Sequence, residues 1–214
     1  MIEIDILIFD VDGTLVDSTT DIVKSVNFTL RALGLQEKPF KQTASYIGKG
    51  TRDLIKRSLG INDVNLINKG LEIYRDYYLE HSTDESRLYP HVKEILSYFS
   101  LKKKFILTNR YKESAQVTLN RLGIGIFFEE IIGGDNEDCL KPAPCSIEKL
   151  ASRLKVDRKK ILFIGDMDLD VVTGKNADVK TCWVTYGLGK REDVEKLRPD
   201  FIIDDLTELK DMIN

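Results

Sequence analysis

The chain has 214 residues, of which 42% are hydrophobic and 31% charged, a composition typical of one large globular domain or a core with an insertion. Its net charge of −3 gives no support for a nucleic-acid-binding or membrane-binding function. It has no basic leader and no apolar run of about eighteen residues, so we expect a cytoplasmic protein. Cys139, Cys145 and Cys182 lack metal-ligand spacing, and we expect them to be reduced thiols.

The first predicted element is a strand that ends in two carboxylates. The apolar run Ile4–Phe9 is typical of a strand buried on both faces within a parallel sheet. Asp10 and Asp12 follow it, and because side chains alternate along a strand, both point to the same side. Two like charges placed so repel each other unless a cation lies between them, and carboxylate oxygens suit Mg²⁺. The alternative is a plain strand followed by an Asp-Gly turn at Gly13.

Residues 17–84 have a helical pattern without a convincing strand. The apolar positions that share one helical face are Ile22, Val26, Leu30 and Leu33, then Leu54, Ile55 and Leu59, then Ile67, Leu71, Tyr74 and Tyr78. Gly34 and Gly60 are typical helix ends, and Thr51 can cap the second helix. We therefore expect an all-helical insert over residues 17–84, within an α/β core formed by residues 1–16 and 85–214. Its position directly after the first strand indicates a cap over the site.

From residue 88 the chain alternates strands and helices, which predicts an α/β fold with a doubly wound, Rossmann-like parallel sheet. The predicted strands are Lys104–Thr108, Glu130–Gly133, Lys160–Gly165, Lys180–Thr185 and Phe201–Asp204, with a helix over Tyr111–Leu122 after the first of them. In open sheets of this kind, ligands bind outside the carboxyl ends of strands where the winding direction reverses. We therefore expect the functional site at the carboxyl end of the first strand and its neighbours.

Three further groups of polar residues follow strands or precede a helix. They are Thr108, Asn109 and Arg110; Lys141 with Pro142; and Asp166, Asp168 and Asp170. Pro142 fits the first turn of a helix, where a missing N–H costs little. Lys141 would then lie at a helix N-terminus, which is unfavourable for a cation unless carboxylates or a phosphate face it. The alternatives are an ordinary strand end at Thr108 and a solvated loop lysine at Lys141.

The succession of these groups resembles the motifs of the haloacid dehalogenase superfamily in its phosphatase form. Asp10-Val11-Asp12-Gly13-Thr14-Leu15 matches the first motif, Asp-x-Asp-Gly-Thr-Leu, at every fixed position. The resemblance implies that Asp10 is the nucleophile, forming an aspartyl-phosphate, and that Asp12 is the general acid and base. True haloalkanoate dehalogenases lack the second aspartate, so its presence argues against carbon–halogen chemistry.

The same resemblance implies roles for residues of the second and third motifs. Thr108 would hydrogen-bond a phosphoryl oxygen, and Asn109 would help to orient the substrate. Lys141 would steady the nucleophile and the transferring phosphoryl group. Arg110 stands where close relatives often carry lysine, and is either a second phosphate contact or a solvated turn residue.

The fourth motif, Gly-Asp-x-x-x-Asp, implies a Mg²⁺ cofactor. Asp166 and Asp10 would be direct ligands, joined by the backbone carbonyl of Asp12, with Asp170 as a ligand or a residue behind the ligands. Asp168 falls between the motif aspartates and is expected to be solvated. Two departures from the family pattern concern turns: His91 and Asp178 stand where glycine is common.

Within the superfamily, the chain is most similar to the phosphoglycolate phosphatases. The segment Ile47–Ile55 resembles their substrate-facing loop, which implies substrate binding by Lys49, Gly50 and Arg52, the cations holding a second anionic group such as a carboxylate. The expected partner is a small phosphorylated metabolite, not a nucleic acid or a membrane, and the expected state is a monomer or homodimer. The alternatives are a phosphomutase of the β-phosphoglucomutase type and a catalytically silent phosphate-binding regulatory module.

Overall fold

The computed structural model describes residues 1–214 and is built on a six-stranded parallel sheet. The strands of the chain are β1 (Ile6–Phe9), β2 (Val16–Asp17), β3 (Arg87–Leu88), β4 (Lys103–Leu107), β5 (Glu130–Ile132), β6 (Ile161–Gly165), β7 (Lys180–Val184) and β8 (Phe201–Ile203). The order within the large sheet is β5-β4-β1-β6-β7-β8. The predicted α/β fold is confirmed, and β1 lies between the strands that precede Thr108 and Asp166.

Helices cover both faces of this sheet and form a separate group between β2 and β3. The helices are α1 (Thr19–Ala32), α2 (Phe40–Ala44), α3 (Thr51–Leu59), α4 (Val64–His81), α5 (Val92–Tyr98), α6 (Lys112–Arg121), α7 (Cys145–Leu154), α8 (Asp168–Asn176), α9 (Arg191–Glu195) and α10 (Leu209–Met212). None of them has the length and apolar character needed to cross a membrane.

The alternation of side chains along β1 explains why the sheet is covered on both faces. Leu7 and Phe9 pack into one core with residues of α5 and α6, while Ile6 and Ile8 pack into a second core with residues of α7. All four side chains are buried, as expected for a central parallel strand. The carboxyl end of β1 is therefore held rigidly between two hydrophobic layers.

Helices α1 to α4 form what we call the helical insert, residues Thr19–His81. They share a core of their own, which contains Ile22, Val26, Leu30, Ile47, Leu54, Ile55, Leu59, Ile67, Tyr74 and Tyr78. The helices predicted around Ile22, Leu54 and Tyr74 are present, and Gly34 and Gly60 adopt the left-handed conformation that ends a helix. The short α2 was not predicted, since five residues carry little periodicity.

Both chain connections to the helical insert run through a two-stranded antiparallel ribbon that the sequence did not predict. Val16 pairs with Leu88 and Asp17 with Arg87. Next to the ribbon, the buried carboxylate of Asp21 accepts hydrogen bonds from the backbone N–H of Ser86 at 2.8 Å and from its hydroxyl at 2.6 Å. The two connections are thereby fastened to each other.

Two predicted helix starts are corrected by the structure. Helix α7 begins at Cys145 and not at Pro142, because residues 140–143 form a turn in which Ala143 N–H donates to the Leu140 carbonyl at 2.8 Å. The Lys141–Pro142 peptide bond in this turn is cis. At α3, Gly50 with φ 99° occupies the capping position. Thr51 is the first residue of the helix, and no side chain caps this helix end.

The expectation of three reduced thiols is wrong for two of the cysteines. The turn around Lys141 brings Cys139 and Cys145 to a Cα–Cα distance of 5.7 Å, within the range that a disulfide spans, and the two are joined. Cys182 is a free, buried thiol, as expected. The cytoplasmic location stays a prediction.

Candidate active site

Three aspartates meet where β1 and β6 end side by side. Asp10 directly follows β1, and its backbone N–H donates to the carbonyl of Ile164 in β6 at 2.9 Å. Asp166 directly follows β6, and Asp170 lies in the first turn of α8. One carboxylate oxygen of each aspartate lies within 4.8 Å of the others, and all three residues are buried. The structure thus brings Asp10, Asp166 and Asp170 together.

The electrostatics of this cluster favour a bound cation. Burial raises the pKa of Asp10 to about 7. The charge of Lys141 lowers this pKa, whereas the charges of Asp170 and Asp12 raise it further. Burial, together with the neighbouring Asp170 and Asp10, also raises the pKa of Asp166 well above its usual value. A divalent cation would relieve this repulsion, and a set of hard carboxylate oxygens suits Mg²⁺. The residues present therefore fit the implied cofactor.

Asp166 is oriented by contacts from two other segments. Its Oδ1 accepts a hydrogen bond from the Thr14 hydroxyl at 2.9 Å, and its Oδ2 accepts one from the Leu188 backbone N–H at 2.7 Å. The loop around Leu188 approaches closely because it is flanked by glycines. A Cβ atom on Gly187 would lie 2.3 Å from Cβ of Asp166, and one on Gly189 would lie 1.9 Å from its carbonyl oxygen.

Lys141 lies between two of the aspartates. Its Nζ donates to Oδ1 of Asp170 at 2.7 Å and lies 2.8 Å from Oδ1 of Asp10, while the side chain is only 3% exposed. Burial opposes the lysine charge, yet Asp10 and Asp170 raise the pKa of Lys141 above its usual value. The second oxygen of Asp170 accepts from Met167 N–H at 2.9 Å. Lys141 therefore faces carboxylates, as expected, although it lies in a turn and not at the helix N-terminus from which that expectation was drawn.

Asp12 does not join the aspartate cluster through its side chain. Its carboxylate accepts hydrogen bonds from the guanidinium of Arg110 and from the hydroxyl of Ser18. Only its backbone carbonyl is thus left for the metal role that the family resemblance implies. Arg110 is buried, and so is not the solvated turn residue that was one of its two predicted interpretations.

Thr108 and Asn109 follow β4 and border the same small cavity as Asp10 and Asp12. The side-chain amide of Asn109 donates to the carbonyls of Gly48, at 2.9 Å, and Lys141, at 3.0 Å. Its Oδ1 accepts from Lys141 N–H at 2.7 Å. Asn109 therefore positions the Lys141 turn and links the core to the helical insert.

The cavity measures about 40 Å³. Its polar and charged lining residues are Asp10, Asp12, Thr51, Tyr74, Thr108, Asn109, Arg110 and Lys141, and the others are Ile22, Ile47, Gly48, Gly50 and Leu54. Thr51 and Tyr74 were not predicted as site residues, because the helical pattern gives only the face of a residue in the insert and not its distance from β1. The helical insert therefore closes one side of the site.

Lys49 and Arg52 do not border this cavity. They line a neighbouring cavity of about 210 Å³, which shares Gly50, Thr51 and Asn109 with the first. Arg52 donates to Asn68 at 3.1 Å and lies 3.6 Å from Glu137, so its charge is directed along the surface. Of the predicted substrate-binding residues Lys49, Gly50 and Arg52, only Gly50 borders the cavity that contains Asp10 and Asp12.

Three further residues near the site had roles that the sequence left open or did not show. Asp168 is exposed, as expected. Ser18, which touches Asp12, was missed because it lies beyond the recognisable motif. Leu188 was missed because it acts through its backbone, although the Gly-Leu-Gly pattern around it is a signal of close chain approach.

Comparisons with known proteins give a similarity along the whole chain. A family model described as haloacid dehalogenase-like hydrolase matches residues 7–184. Phosphoglycolate phosphatases from Vibrio parahaemolyticus and Haemophilus influenzae are 30% and 32% identical, over 99% and 94% of this chain and 96% and 94% of their own lengths. The solved structure of a predicted phosphoglycolate phosphatase from Haemophilus somnus has a TM-score of 0.92 at 27% identity, covering 99% of both chains.

Proposed function

Because the chain belongs to the haloacid dehalogenase-like hydrolases and is a phosphoric monoester hydrolase, we propose that it is a Mg²⁺-dependent phosphatase that acts through an aspartyl-phosphate. The observation that carries the proposal is the buried cluster of Asp10, Asp166 and Asp170, in which Lys141 contacts the nucleophile candidate. A bound Mg²⁺ would be held by Asp10, Asp166 and the backbone carbonyl of Asp12. Asp170 would either bind the ion or hydrogen-bond to its ligands. The ion would neutralise negative charge between enzyme and phosphate.

The first half-reaction is phosphoryl transfer to Asp10. An oxygen of the Asp10 carboxylate attacks phosphorus, and the bond from phosphorus to the substrate oxygen breaks. Lys141, already beside Asp10, steadies the carboxylate and the charge on the phosphoryl oxygens. Thr108 borders the same cavity and donates its hydroxyl to a phosphoryl oxygen.

Asp12 handles the protons in both half-reactions. It gives a proton to the leaving oxygen in the first, then takes one from the water that attacks the aspartyl-phosphate in the second. Inorganic phosphate leaves, and Asp10 returns as a carboxylate. Asp12 lies two residues after Asp10 and lines the same cavity, which supports this division of roles.

The proposed substrate is a small phosphomonoester of the phosphoglycolate type. A cavity of about 40 Å³ is far smaller than the roughly 300–1,000 Å³ of sites for drug-sized ligands. The relatives that cover the chain are named phosphoglycolate phosphatases, which supports the same substrate class. For Lys49 and Arg52 we propose attraction of the anionic substrate into the neighbouring cavity, which their side chains line.

We further propose that residues 17–84 act as a cap domain over a core of residues 1–16 and 85–214. The separate hydrophobic core of the helical insert supports a unit that moves as one body. The ribbon formed by β2 and β3 holds both connections and is the natural position of a hinge. Closure would exclude water from the aspartyl-phosphate until the leaving group has departed.

A panel of phosphorylated metabolites, with released phosphate measured with Mg²⁺ and with excess chelator, tests the proposed function. We expect Mg²⁺-dependent hydrolysis of small phosphomonoesters, phosphoglycolate among the best. Asp10→Asn should abolish turnover on all of them. Full activity in chelator would contradict the metal requirement. Interconversion of sugar phosphate isomers without net phosphate release would identify a phosphomutase instead.

A further inference from the structure

The side chain of Asp12 is held by an arginine on the neighbouring strand end. Nε of Arg110 donates to Oδ2 of Asp12 at 3.2 Å, and Nη2 donates to Oδ1. This two-point contact fixes the orientation of a carboxylate far better than a single bond does. The side chains are only 6% and 13% exposed, so water competes little with the pair.

Arg110 is itself held from two sides. Its Nη1 donates to the hydroxyl of Thr118 in α6 at 3.0 Å, and its guanidinium carbon lies 5.0 Å from the ring centre of Tyr78 in α4. Thr118 belongs to the core and Tyr78 to the helical insert, and both are buried. The position of Arg110 therefore depends on how the helical insert sits on the core.

The two cations of the cavity are divided between its two carboxylates. Asp10, Asp12, Arg110 and Lys141 are its only charged lining residues. Lys141 contacts Asp10, whereas Arg110 contacts Asp12. A lysine at position 110 would offer a point charge without the planar fork, so it could not fix both oxygens of Asp12 in the same way.

We propose that Arg110 is a positioning residue for Asp12, and that Tyr78 couples this positioning to the placement of the helical insert. The inference rests on the proposed function, in which Asp12 serves the leaving oxygen. It differs from direct binding of substrate phosphate by Arg110, the other use that an arginine bordering the cavity could have. The two alternatives predict different behaviour when Asp12 is removed.

The test compares Arg110→Met, Asp12→Asn and the double variant in the presence of Mg²⁺. The rate of leaving-group release in the first turnover is measured for phosphoglycolate and for an aryl phosphate, whose leaving group needs no proton. Arg110→Met should slow leaving-group release from phosphoglycolate about 10- to 100-fold, which is part of a typical acid–base contribution. Release from the aryl phosphate should slow less than about 3-fold. The double variant should be no more than about 3-fold slower than Asp12→Asn.

Two further variants separate positioning from a loss of folding. Tyr78→Leu removes the ring beneath the guanidinium and should give a smaller loss with the same dependence on the leaving group. Arg75→Met is the matched control, because Arg75 bridges α4 to Glu113 of α6 at 2.7 Å on the exposed surface, away from the cavity. It should leave both rates unchanged. Should Arg110→Met not fold, Arg110→Lys carries the same comparison, with partial recovery expected.

Multiplicative losses in the double variant, with equal effects on both esters and a raised KM, would overturn the proposal and assign Arg110 to direct substrate binding. Equal losses on both esters with an unchanged KM would also overturn it, as would a full rate in Arg110→Met. A wild-type protein that hydrolyses no phosphomonoester would instead overturn the proposed function, so the two failures are distinct.

Discussion

Nζ of Lys141 lies 2.8 Å from Oδ1 of Asp10, with both side chains buried. The lysine reaches this position from a turn between β5 and α7, far from Asp10 along the chain. In the proposed mechanism, it supplies the positive charge that a carboxylate nucleophile needs in order to approach a phosphate anion. The same contact offsets part of the cost of burying Asp10 beside Asp166 and Asp170.

Lys141→Met should therefore reduce both activity and stability. We expect kcat to fall about 100- to 1,000-fold, the usual effect of removing one preorganised charge from a reacting centre. Without metal, the free energy of unfolding of the variant should be roughly 3–5 kcal/mol lower than that of the wild type, since the buried carboxylates lose their partner. Lys160→Met is the control, because Lys160 pairs with Glu3 on the surface. Equal losses in both variants, measured by phosphate release and denaturant unfolding, would contradict this role.

The stability of the metal-free protein should fall as the pH rises. Burial raises the pKa of Asp10 to about 7 and that of Asp166 above its usual range, so the folded state keeps protons that the unfolded state releases above about pH 4. Since the folded state binds more protons, each step in pH from about 4 to 7 favours unfolding. Thermal unfolding in chelator should give a lower Tm at pH 8 than at pH 5.

Two controls accompany the pH measurement. Asp10→Asn should show a shallower fall in Tm, because one titrating carboxyl is gone. Mg²⁺ should raise the wild-type Tm more at pH 8 than at pH 5, since the cation binds the deprotonated cluster. A Tm in chelator that rises between pH 5 and pH 8 would show that deprotonation of the aspartate cluster does not destabilise the folded state.

Gly13→Ala should damage the proposed metal site, whereas Gly34→Ala should only strain the backbone. Gly13 has φ 86°, and a Cβ atom there would lie 2.2 Å from Oδ2 of Asp166. Gly34 has φ 71° but no atom within 4 Å of the added Cβ. Both changes place a side chain in the left-handed region, at a cost of about 1–2 kcal/mol. Only Gly13→Ala should also weaken Mg²⁺ binding by at least about 10-fold, as measured by titration of activity.

The double variant Lys49→Ala, Arg52→Ala should change capture of substrate and not chemistry. Because both side chains line the neighbouring cavity, we expect KM for phosphoglycolate to rise several-fold at low ionic strength and kcat to stay within about 2-fold. The difference from wild type should shrink in about 1 M salt, where charges are screened beyond about 3 Å. A fall in kcat without a change in KM would place these cations at the reacting phosphate instead.

Buried strand ends are the part of this molecule that its sequence specifies most directly. The apolar runs before Asp10 and Asp166 favour buried parallel strands, and adjacency of those strands brings the two carboxylates together. The direction of a side chain on a short loop carries no such signal. Lys49 and Arg52 have the charge that an anion site needs, yet they turn toward a different cavity.

Contacts between distant segments were the hardest to predict. Arg110 and Asp12 are 98 positions apart, and nothing in either motif shows that they pair. Turn conformation was partly readable. His91 and Asp178, which stand where glycine is common in the family, both have positive φ, at 61° and 57°. Both residues adopt a left-handed backbone conformation that glycine would adopt more easily.

Identification of the phosphorylated residue tests the central claim most directly. The enzyme is mixed with substrate and Mg²⁺, quenched within one turnover, and treated with borohydride, which reduces an acyl phosphate to an alcohol. Peptide mass spectrometry of the wild type should then find homoserine in place of Asp10 only when substrate was added. With an aryl phosphate, whose leaving group needs no proton, Asp12→Asn should accumulate more of it, because only the attack of water is slowed. Turnover with no reduced residue, or with reduction at Asp12, Asp166 or Asp170, would contradict Asp10 as the nucleophile.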